Sequence, residues 1–243
     1  MFSKLTTKIA LRKAGIPSNA FSLPDSKSGT RDPNQQNELL PFANPLANLS
    51  VPKSWQSWAT PIPPPIEVAA PPAIGTRAPN SAKLRLPSGD GKPVVVVFLR
   101  NCGCAFAEKT FLEARRLANK YPRIQFIAVS HSSKPATDKW VSAIGGAWQV
   151  MVLIDEEREI YASWGLGVST TWHLLNPWTQ VAAQKLGKQQ AIWGREVDPS
   201  GNRWQVGGGW AVDGMGTVRF GVASKTADDI PNLEAACQAV GAY

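Results

Sequence analysis

The feature that most constrains the fold is a run of six consecutive apolar residues, VVVVFL, at Val94–Leu99. A continuously apolar, β-branched run without alternation is typical of a central strand that is covered on both faces. Apolar residues then recur at helical spacing from Ala105 to Tyr121, and IQFIAVS at 124–130 predicts the next strand. A strand, a helix and a strand within about 40 residues imply a right-handed crossover between two parallel neighbours.

The remaining patterns complete a mixed sheet. They predict a helix ended by Gly145 and Gly146, a third strand in QVMVLIDEE, a short helix in REIYASWG, and helical structure within 181–192. WQVGGGWAVDGMGTVRFGVAS predicts two strands joined by a DGMG turn. The last helix is predicted to be capped by Asp229, with Pro231 in its first turn. This order predicts an α/β fold with a central mixed β-sheet flanked by helices.

The N-terminal third differs in composition from the rest of the chain. Fourteen of the 20 prolines fall within residues 1–92, with 11 of the 26 basic residues and 5 of the 18 acidic ones. Most of the net charge of +8 therefore lies there. PIPPPIEVAAPPA, at 61–73, favours an extended polyproline conformation and predicts a spacer. We predict a long disordered, basic, proline-rich extension over residues 1–72, a possible targeting segment plus linker, and one folded domain over 73–243.

The first residues allow several interpretations. Phe2, Leu5, Ile9 and Ile16 share one face of a helix, and the segment has basic residues but no acid before Asp25. These properties are typical of a mitochondrial targeting segment. They also suit a helix on an anionic membrane surface or an ordinary solvated terminus. A cytoplasmic or a mitochondrial location is therefore expected.

Composition argues against two classes of function. No stretch of about 18 consecutive apolar residues is present, so we predict no transmembrane segment. The part of the chain after residue 92 is close to neutral and has no run of Lys and Arg, so we predict no nucleic-acid partner. Three cysteines are too few for a disulfide framework and favour a reducing compartment.

Polar and sulfur side chains follow the two predicted parallel strands. Cys102 and Cys104 come directly after the first strand, where functional groups collect in parallel sheets. If a helix starts near Cys104, its unpaired N–H groups and dipole stabilise the thiolate, which is the form that attacks peroxides and disulfides. Arg100 could add positive charge. His131, in SHSS after the second strand, could reach the thiol as a base or an orienting donor.

Each of these residues also has a structural interpretation. Small residues are favoured in a tight turn between a strand and a helix, and Cys is frequently a buried apolar residue. A disulfide between Cys102 and Cys104 would be strained and easily reduced. Arg100 could be held in an ion pair, and His131 could be a partnered surface histidine.

The sequence gives weaker signals for a metal or cofactor site than for a reactive thiol. Four side chains of permitted type could bind zinc: Cys102, Cys104, His131 and His173. The Cys-x-Cys spacing is tighter than the usual spacer, however, and the glycines at 207–209 precede a strand instead of a helix, which does not suit a phosphate site. We predict no metal and no cofactor. Cys237, within an apolar run, is predicted to be a packed helix residue.

From Ile74 to Val240 the chain resembles the thioredoxin-like superfamily, and more closely the peroxiredoxin-like AhpC/TSA antioxidant proteins. Six similar stretches occur in the family's order: IGTRAP, VVVVFLRNCGCAF, IAVSHSS, LIDEEREIYASWGLG, WQVGGGWAVDGMGTV and ADDIPNLE. The family pattern at the site is similar to F-x-R-x-x-G-C-P-F-C, and five residues match it: Phe98, Arg100, Gly103, Cys104 and Phe106. The resemblance implies a thioredoxin-like fold with a reactive cysteine at position 104.

The chain departs from the family pattern at several positions. Ala105 replaces the proline, and Ala107 stands where the second cysteine would be, so the usual Cys-x-x-Cys disulfide cannot form. Cys102 is the nearby substitute. Asn101 stands where peroxiredoxins have a threonine, and no proline precedes the hairpin strand at 205–206.

These features predict a thiol-dependent redox or antioxidant protein of the peroxiredoxin-like type. Cys104 would be the nucleophile toward a small peroxide or a disulfide, and Cys102 or an external thiol reductant would resolve the oxidised form. Two alternatives stay open. The domain could be a catalytically inactive interaction scaffold that uses its proline-rich arm and tryptophans, or a protein disulfide reductase that uses Cys102 and Cys104.

Overall fold

The computed structural model describes residues 64–169, 177–193 and 201–241, and its centre is a five-stranded sheet in the order β3-β2-β1-β4-β5. The strands are β1 (Val94–Phe98), β2 (Gln125–Ser130), β3 (Val150–Ile154), β4 (Gly208–Val212) and β5 (Val218–Ala223). The helices are α1 (Ala105–Lys120), α2 (Lys134–Ala143), α3 (Glu159–Ser163), α4 (Pro177–Gln190) and α5 (Leu233–Ala239).

The apolar run becomes the middle strand of the sheet, as its composition predicts. All five residues of β1 are buried. Val96 pairs with Ile127 of the parallel strand β2 on one side and with Trp210 of the antiparallel strand β4 on the other. Strand β3 continues the parallel pairing, and β4 and β5 form the predicted hairpin. The sheet is therefore mixed.

Alternate side chains of β1 enter two hydrophobic clusters. Val95 and Val97 lie in one cluster with side chains from α1, α2 and α5, including Phe111. Val94, Val96 and Phe98 lie in the other, with α3 and the segment that follows it. A strand with an apolar cluster on each face explains why the run does not alternate. The predicted α/β architecture, a mixed sheet flanked by helices, is confirmed.

Two helix ends show where local patterns succeed and fail. The glycines after α2 end it as predicted, with φ values of +94° and +88° at Gly145 and Gly146. The prediction that Asp229 caps the last helix is wrong, because α5 begins at Leu233. Asn232 is the cap, and its side chain accepts a hydrogen bond from the N–H of Ala235 at 3.0 Å. The Asp229 carboxylate instead accepts from the N–H of Lys225, at 2.9 Å.

The end of the proline-rich segment lies against the domain. Arg158 donates to the carbonyl oxygen of Pro64 at 3.0 Å, and the N–H of Ala69 donates to the carbonyl of Ala162 at 3.0 Å. A Cβ at Gly165 would lie 2.6 Å from the Pro71 ring. The domain boundary at 72/73 stays a prediction. The predicted targeting segment, and residues 1–63 of the extension predicted over 1–72, lie outside the described residues.

Within the described residues, no helix combines the length and the apolar character needed to cross a membrane.

Candidate functional site

Cys104 sits where the first strand passes into the first long helix. The connection turns through Asn101, whose carbonyl accepts from the N–H of Cys104 at 3.2 Å. Gly103 takes a φ of +87° in this turn, a conformation that residues with a Cβ rarely adopt. Cys104 is the N-cap of α1, with extended backbone and no side-chain cap hydrogen bond. The partly buried thiol therefore lies at the positive end of a 16-residue helix.

The Arg100 guanidinium binds the thiol from the preceding loop. Its Nη1 donates to Cys104 Sγ at 3.3 Å, and its Nη2 donates to the carbonyl oxygen of Arg203 at 2.7 Å. The side chain is buried, with 6% of its surface exposed. A charged donor in contact with sulfur favours the thiolate, and this contact is stronger away from solvent than in water. The sequence predicts Arg100 near the Cys104 thiol, and in the structure the two side chains are in contact.

A second arginine, Arg203, lies beside Arg100 and accepts from its Nη2 through the main-chain carbonyl oxygen at 2.7 Å. Burial lowers the pKa of the Arg203 guanidinium, the charge of the Cys104 thiol opposes this shift, and the charge of Arg100 adds to it. Sequence reasoning missed Arg203, because it lies about one hundred residues along the chain from the cysteine, just before β4. The family pattern gives no signal for it.

The segment that carries Arg203 is held by main-chain contacts, and we call residues 201–205 the 201–205 loop. Its Trp204 carbonyl accepts from the N–H of Ser169 at 2.7 Å. The side chain of Gln205 donates to the carbonyl of Leu166 at 3.0 Å. A Cβ at Gly201 would lie 2.5 Å from Ser132 Oγ, so the loop packs closely on the chain after β2. The loop is thus tied to the domain at several points.

His131 lies at the predicted edge of the sheet but is buried there. Only 3% of its surface is exposed, and its ring packs edge-on against Tyr161, with centroids 5.4 Å apart. Its Nε2 lies 2.9 Å from the amide nitrogen and 3.0 Å from the carbonyl oxygen of Asn202, so it accepts from the first in one tautomer and donates to the second in the other. Burial lowers the pKa of His131 to about 4, and the charges of Arg158 and Arg100 act in the same direction. The imidazole is therefore neutral at pH 7 and binds the 201–205 loop. The interpretation as a surface histidine is wrong.

Cys102 faces away from solvent. It is 4% exposed and belongs to the cluster beneath α1. Its Sγ lies 3.7 Å from both Ser130 Oγ and Thr137 Oγ1, and its N–H donates to Ser132 Oγ at 3.3 Å. Both site cysteines are free thiols. Cys102 thus contacts buried hydroxyl groups at the end of β2 and the start of α2.

Cys237 is packed in the core, as predicted. Its side chain is fully buried in α5, and burial raises the pKa of its thiol to about 12. Across residues 64–169, 177–193 and 201–241, no group of three or more His, Cys, Asp or Glu side chains is arranged to hold a metal ion. His173, the fourth member of the possible zinc set, lies outside the described residues.

A family model described as AhpC/TSA antioxidant enzyme matches residues 112–225. The resemblance to this family, indicated by the order of the sequence motifs, is confirmed. The match begins eight residues after Cys104, inside α1, so it covers most of the sheet and His131 but neither site cysteine. The assignment of Cys102, Cys104, Arg100 and His131 as site residues stays a prediction.

Among solved structures, the chain is similar to a thiol peroxidase from Chromobacterium violaceum, at 14% identity and a TM-score of 0.45 over 70% of this chain and 87% of that one. It is also similar to a peroxiredoxin-like protein from Aquifex aeolicus, at 14% identity and a TM-score of 0.48 over 72% and 91%. A variant of peroxiredoxin 6 from Arenicola marina matches at 12% identity and 0.48 over 67% and 69%. No curated protein sequence matches the chain. Similarity at this level carries no argument about site residues.

Proposed function

We propose that this chain, which is similar to the AhpC/TSA antioxidant enzymes over residues 112–225, is a thiol-dependent redox protein whose nucleophile is Cys104. One observation carries the proposal: the Cys104 sulfur lies at the start of α1 with the Arg100 guanidinium 3.3 Å away. A helix N-terminus and a contacting cation both favour the thiolate over the thiol. The thiolate is the species that reacts with peroxides and disulfides.

Toward a small peroxide, the reaction is a two-electron transfer. The Cys104 thiolate attacks one oxygen of the O–O bond, the bond breaks, and the other oxygen leaves and takes up a proton as an alcohol or water. Cys104 is left as a sulfenic acid. The guanidinium donors of Arg100 can stabilise the negative charge that passes from sulfur to the departing oxygen.

The oxidised form is then reduced by an external thiol. The thiolate of that reductant attacks the sulfenic sulfur, a disulfide forms, and water leaves. A second equivalent of thiol releases Cys104 and carries away the disulfide. We favour an external thiol over Cys102 because the Cys102 sulfur is buried and directed toward Ser130 and Thr137. Ala107 provides no thiol at the other usual position.

The buried position of Cys102 also separates this proposal from the disulfide-reductase alternative. A reductase that cycles between a dithiol and a disulfide needs the Cys102 sulfur to reach the Cys104 sulfur and release the mixed disulfide, whereas Cys102 Sγ is directed toward Ser130 and Thr137. Of the two cysteines, Cys104 is the partly exposed one. Cys102→Ala should therefore leave peroxide reduction with an external thiol intact. The reductase alternative requires this variant to be inactive in the reduction of a protein disulfide.

Peptide-resolved mass spectrometry before and after one equivalent of hydrogen peroxide tests the proposal. We expect a sulfenic acid, trapped as its dimedone adduct with loss of water, on Cys104 and on neither Cys102 nor Cys237. Cys104→Ser should abolish trapping, and Cys237→Ala is the matched control that removes a buried thiol. An unmodified Cys104 in folded wild-type protein would refute the proposal and favour the scaffold alternative.

A further inference from the structure

The feature that the proposed chemistry leaves unexplained is a buried histidine that does not contact the thiol. The sequence predicts His131 as a base or an orienting donor for the thiol, but its Nε2 is bound to the main chain of Asn202, 2.9 Å from the amide nitrogen and 3.0 Å from the carbonyl oxygen. A ring engaged in this way is not available to take a proton from Cys104. The contact instead joins the end of β2 to the 201–205 loop.

The neighbouring residue of that loop anchors the arginine. Arg100 Nη2 donates to the carbonyl oxygen of Arg203 at 2.7 Å, while Nη1 of the same group contacts Cys104 Sγ. A guanidinium is planar and rigid, so the position of one nitrogen determines the position of the other. A shift of the Arg203 carbonyl therefore changes the contact at the sulfur.

We propose that His131 is a positioning residue for Cys104: it holds Asn202, and thereby the Arg203 carbonyl that orients the Arg100 guanidinium against the thiol. The proposal concerns the same thiol as the proposed function and deepens it. Every link is a hydrogen bond or a peptide unit, so the coupling follows a continuous physical path.

The path is specific in its geometry. The hydrogen-bonding group must stand at the distance of Nε2 from the backbone, which the side-chain amide of glutamine reproduces and that of asparagine, one carbon shorter, does not. His131→Gln keeps the link to Asn202, and His131→Asn breaks it while remaining polar. This pair separates positioning from the general loss of a buried ring.

The rate of alkylation of Cys104 by iodoacetamide at pH 7, measured on its own peptide, reports the thiolate without any peroxide. We expect Arg100→Met to slow alkylation about tenfold, since a neighbouring cation commonly changes thiolate stability by a factor of this order or more. His131→Asn should slow it several-fold, and His131→Gln should stay within about twofold of wild type.

The decisive measurement is the double variant. If His131 acts through Arg100, then Arg100→Met with His131→Asn is no slower than Arg100→Met alone. If the double variant is slower than Arg100→Met by the factor that His131→Asn causes alone, the proposal is overturned. An unchanged alkylation rate in His131→Asn, or a rate in His131→Gln as slow as that of His131→Asn, would overturn it as well. If His131→Asn does not fold, His131→Gln decides, because a rate as low as that of Arg100→Met overturns the proposal.

Leu84→Ala is the control for stability. Leu84 is buried in the cluster on the other side of the sheet, and its side chain cannot hydrogen-bond. Leu84→Ala should lower the melting temperature without slowing alkylation of Cys104. A fall in alkylation rate equal to that of His131→Asn would overturn the proposal. Failure of the proposed function has a different signature, because a wild-type Cys104 that peroxide does not oxidise still gives these alkylation rates.

Discussion

The burial of His131 predicts a loss of stability in mild acid. Its pKa is about 4 in the folded protein, against 6.5 for a free histidine, because burial opposes the charged form. Between these values the unfolded chain binds a proton that the folded protein does not, so stability falls as the pH is lowered from 6.5 to 4. Below pH 4 the contribution of this group is constant.

The magnitude follows from the two pKa values. From pH 7 to pH 5 the free energy of unfolding should fall by about 2 kcal/mol through His131 alone, and by about 3 kcal/mol at pH 4. Such a loss is a large fraction of the stability of an ordinary domain. The carboxylate of Glu234, whose hydrogen bonds to Lys120 and Tyr121 lower its pKa to about 2, loses its stabilising effect only below about pH 4.5. The interval from pH 7 to 5 therefore lies above the range in which this carboxylate loses its effect.

Urea unfolding of wild type and His131→Gln at pH 7, 6 and 5 measures this difference. Glutamine does not titrate, so the stability of wild type relative to the variant should fall by about 2 kcal/mol over this range. The chain has two histidines, so one variant assigns both imidazole signals in an NMR titration of the folded protein. Parallel stability curves, or a His131 signal that titrates near pH 6.5, would refute a buried neutral imidazole.

Three further substitutions test other parts of the structure. In Gly207→Ala the new Cβ would lie 2.8 Å from the Phe98 carbonyl oxygen and 3.3 Å from Arg100 Cγ; alkylation of Cys104 should slow, whereas Gly89→Ala, with open space around it, should not change it. Cys237→Ser places a hydroxyl in the core and should cost about 1–3 kcal/mol in urea unfolding, with Cys104 alkylation unchanged. Glu234→Gln weakens the ion pair with Lys120 at 2.7 Å; because the site is partly exposed, the loss at pH 7 should be about 1 kcal/mol or less, and a larger one contradicts the surface estimate.

The architecture of the sheet was predictable because its signals are local. The β-branched run at 94–99 has no polar face, so it had to become a strand with a core on both sides, and β1 is that strand. Gly145 and Gly146 end a helix through their own backbone conformation. The start of α5 was mispredicted because Asp229 and Asn232 are both good caps, and the contact of Asp229 with Lys225 decides between them.

The site was predictable only in part, for a physical reason. Cys104 and Arg100 are four residues apart in the turn between β1 and α1, and this turn brings their side chains together. The second partner of Arg100 is a main-chain carbonyl oxygen, which no residue type in the sequence could have indicated. Every residue has this group, and only the folded path of the 201–205 loop brings the one from Arg203 to the arginine. The same holds for the N–H of Asn202 that binds His131.

The reactivity that we propose for Cys104 does not depend on the second cysteine of the family pattern. A Cys-x-x-Cys pair places its activating and resolving groups within one turn of helix, and Ala107 removes that possibility here. In this chain the groups that favour the thiolate are the N-terminus of α1 and the Arg100 guanidinium. A loop about one hundred residues further along the chain holds that guanidinium in place. Activation of Cys104 should therefore survive loss of Cys102 but not displacement of the 201–205 loop. A Cys102→Ala variant with normal Cys104 alkylation, beside a slow His131→Asn variant, is the pair of results that this arrangement requires.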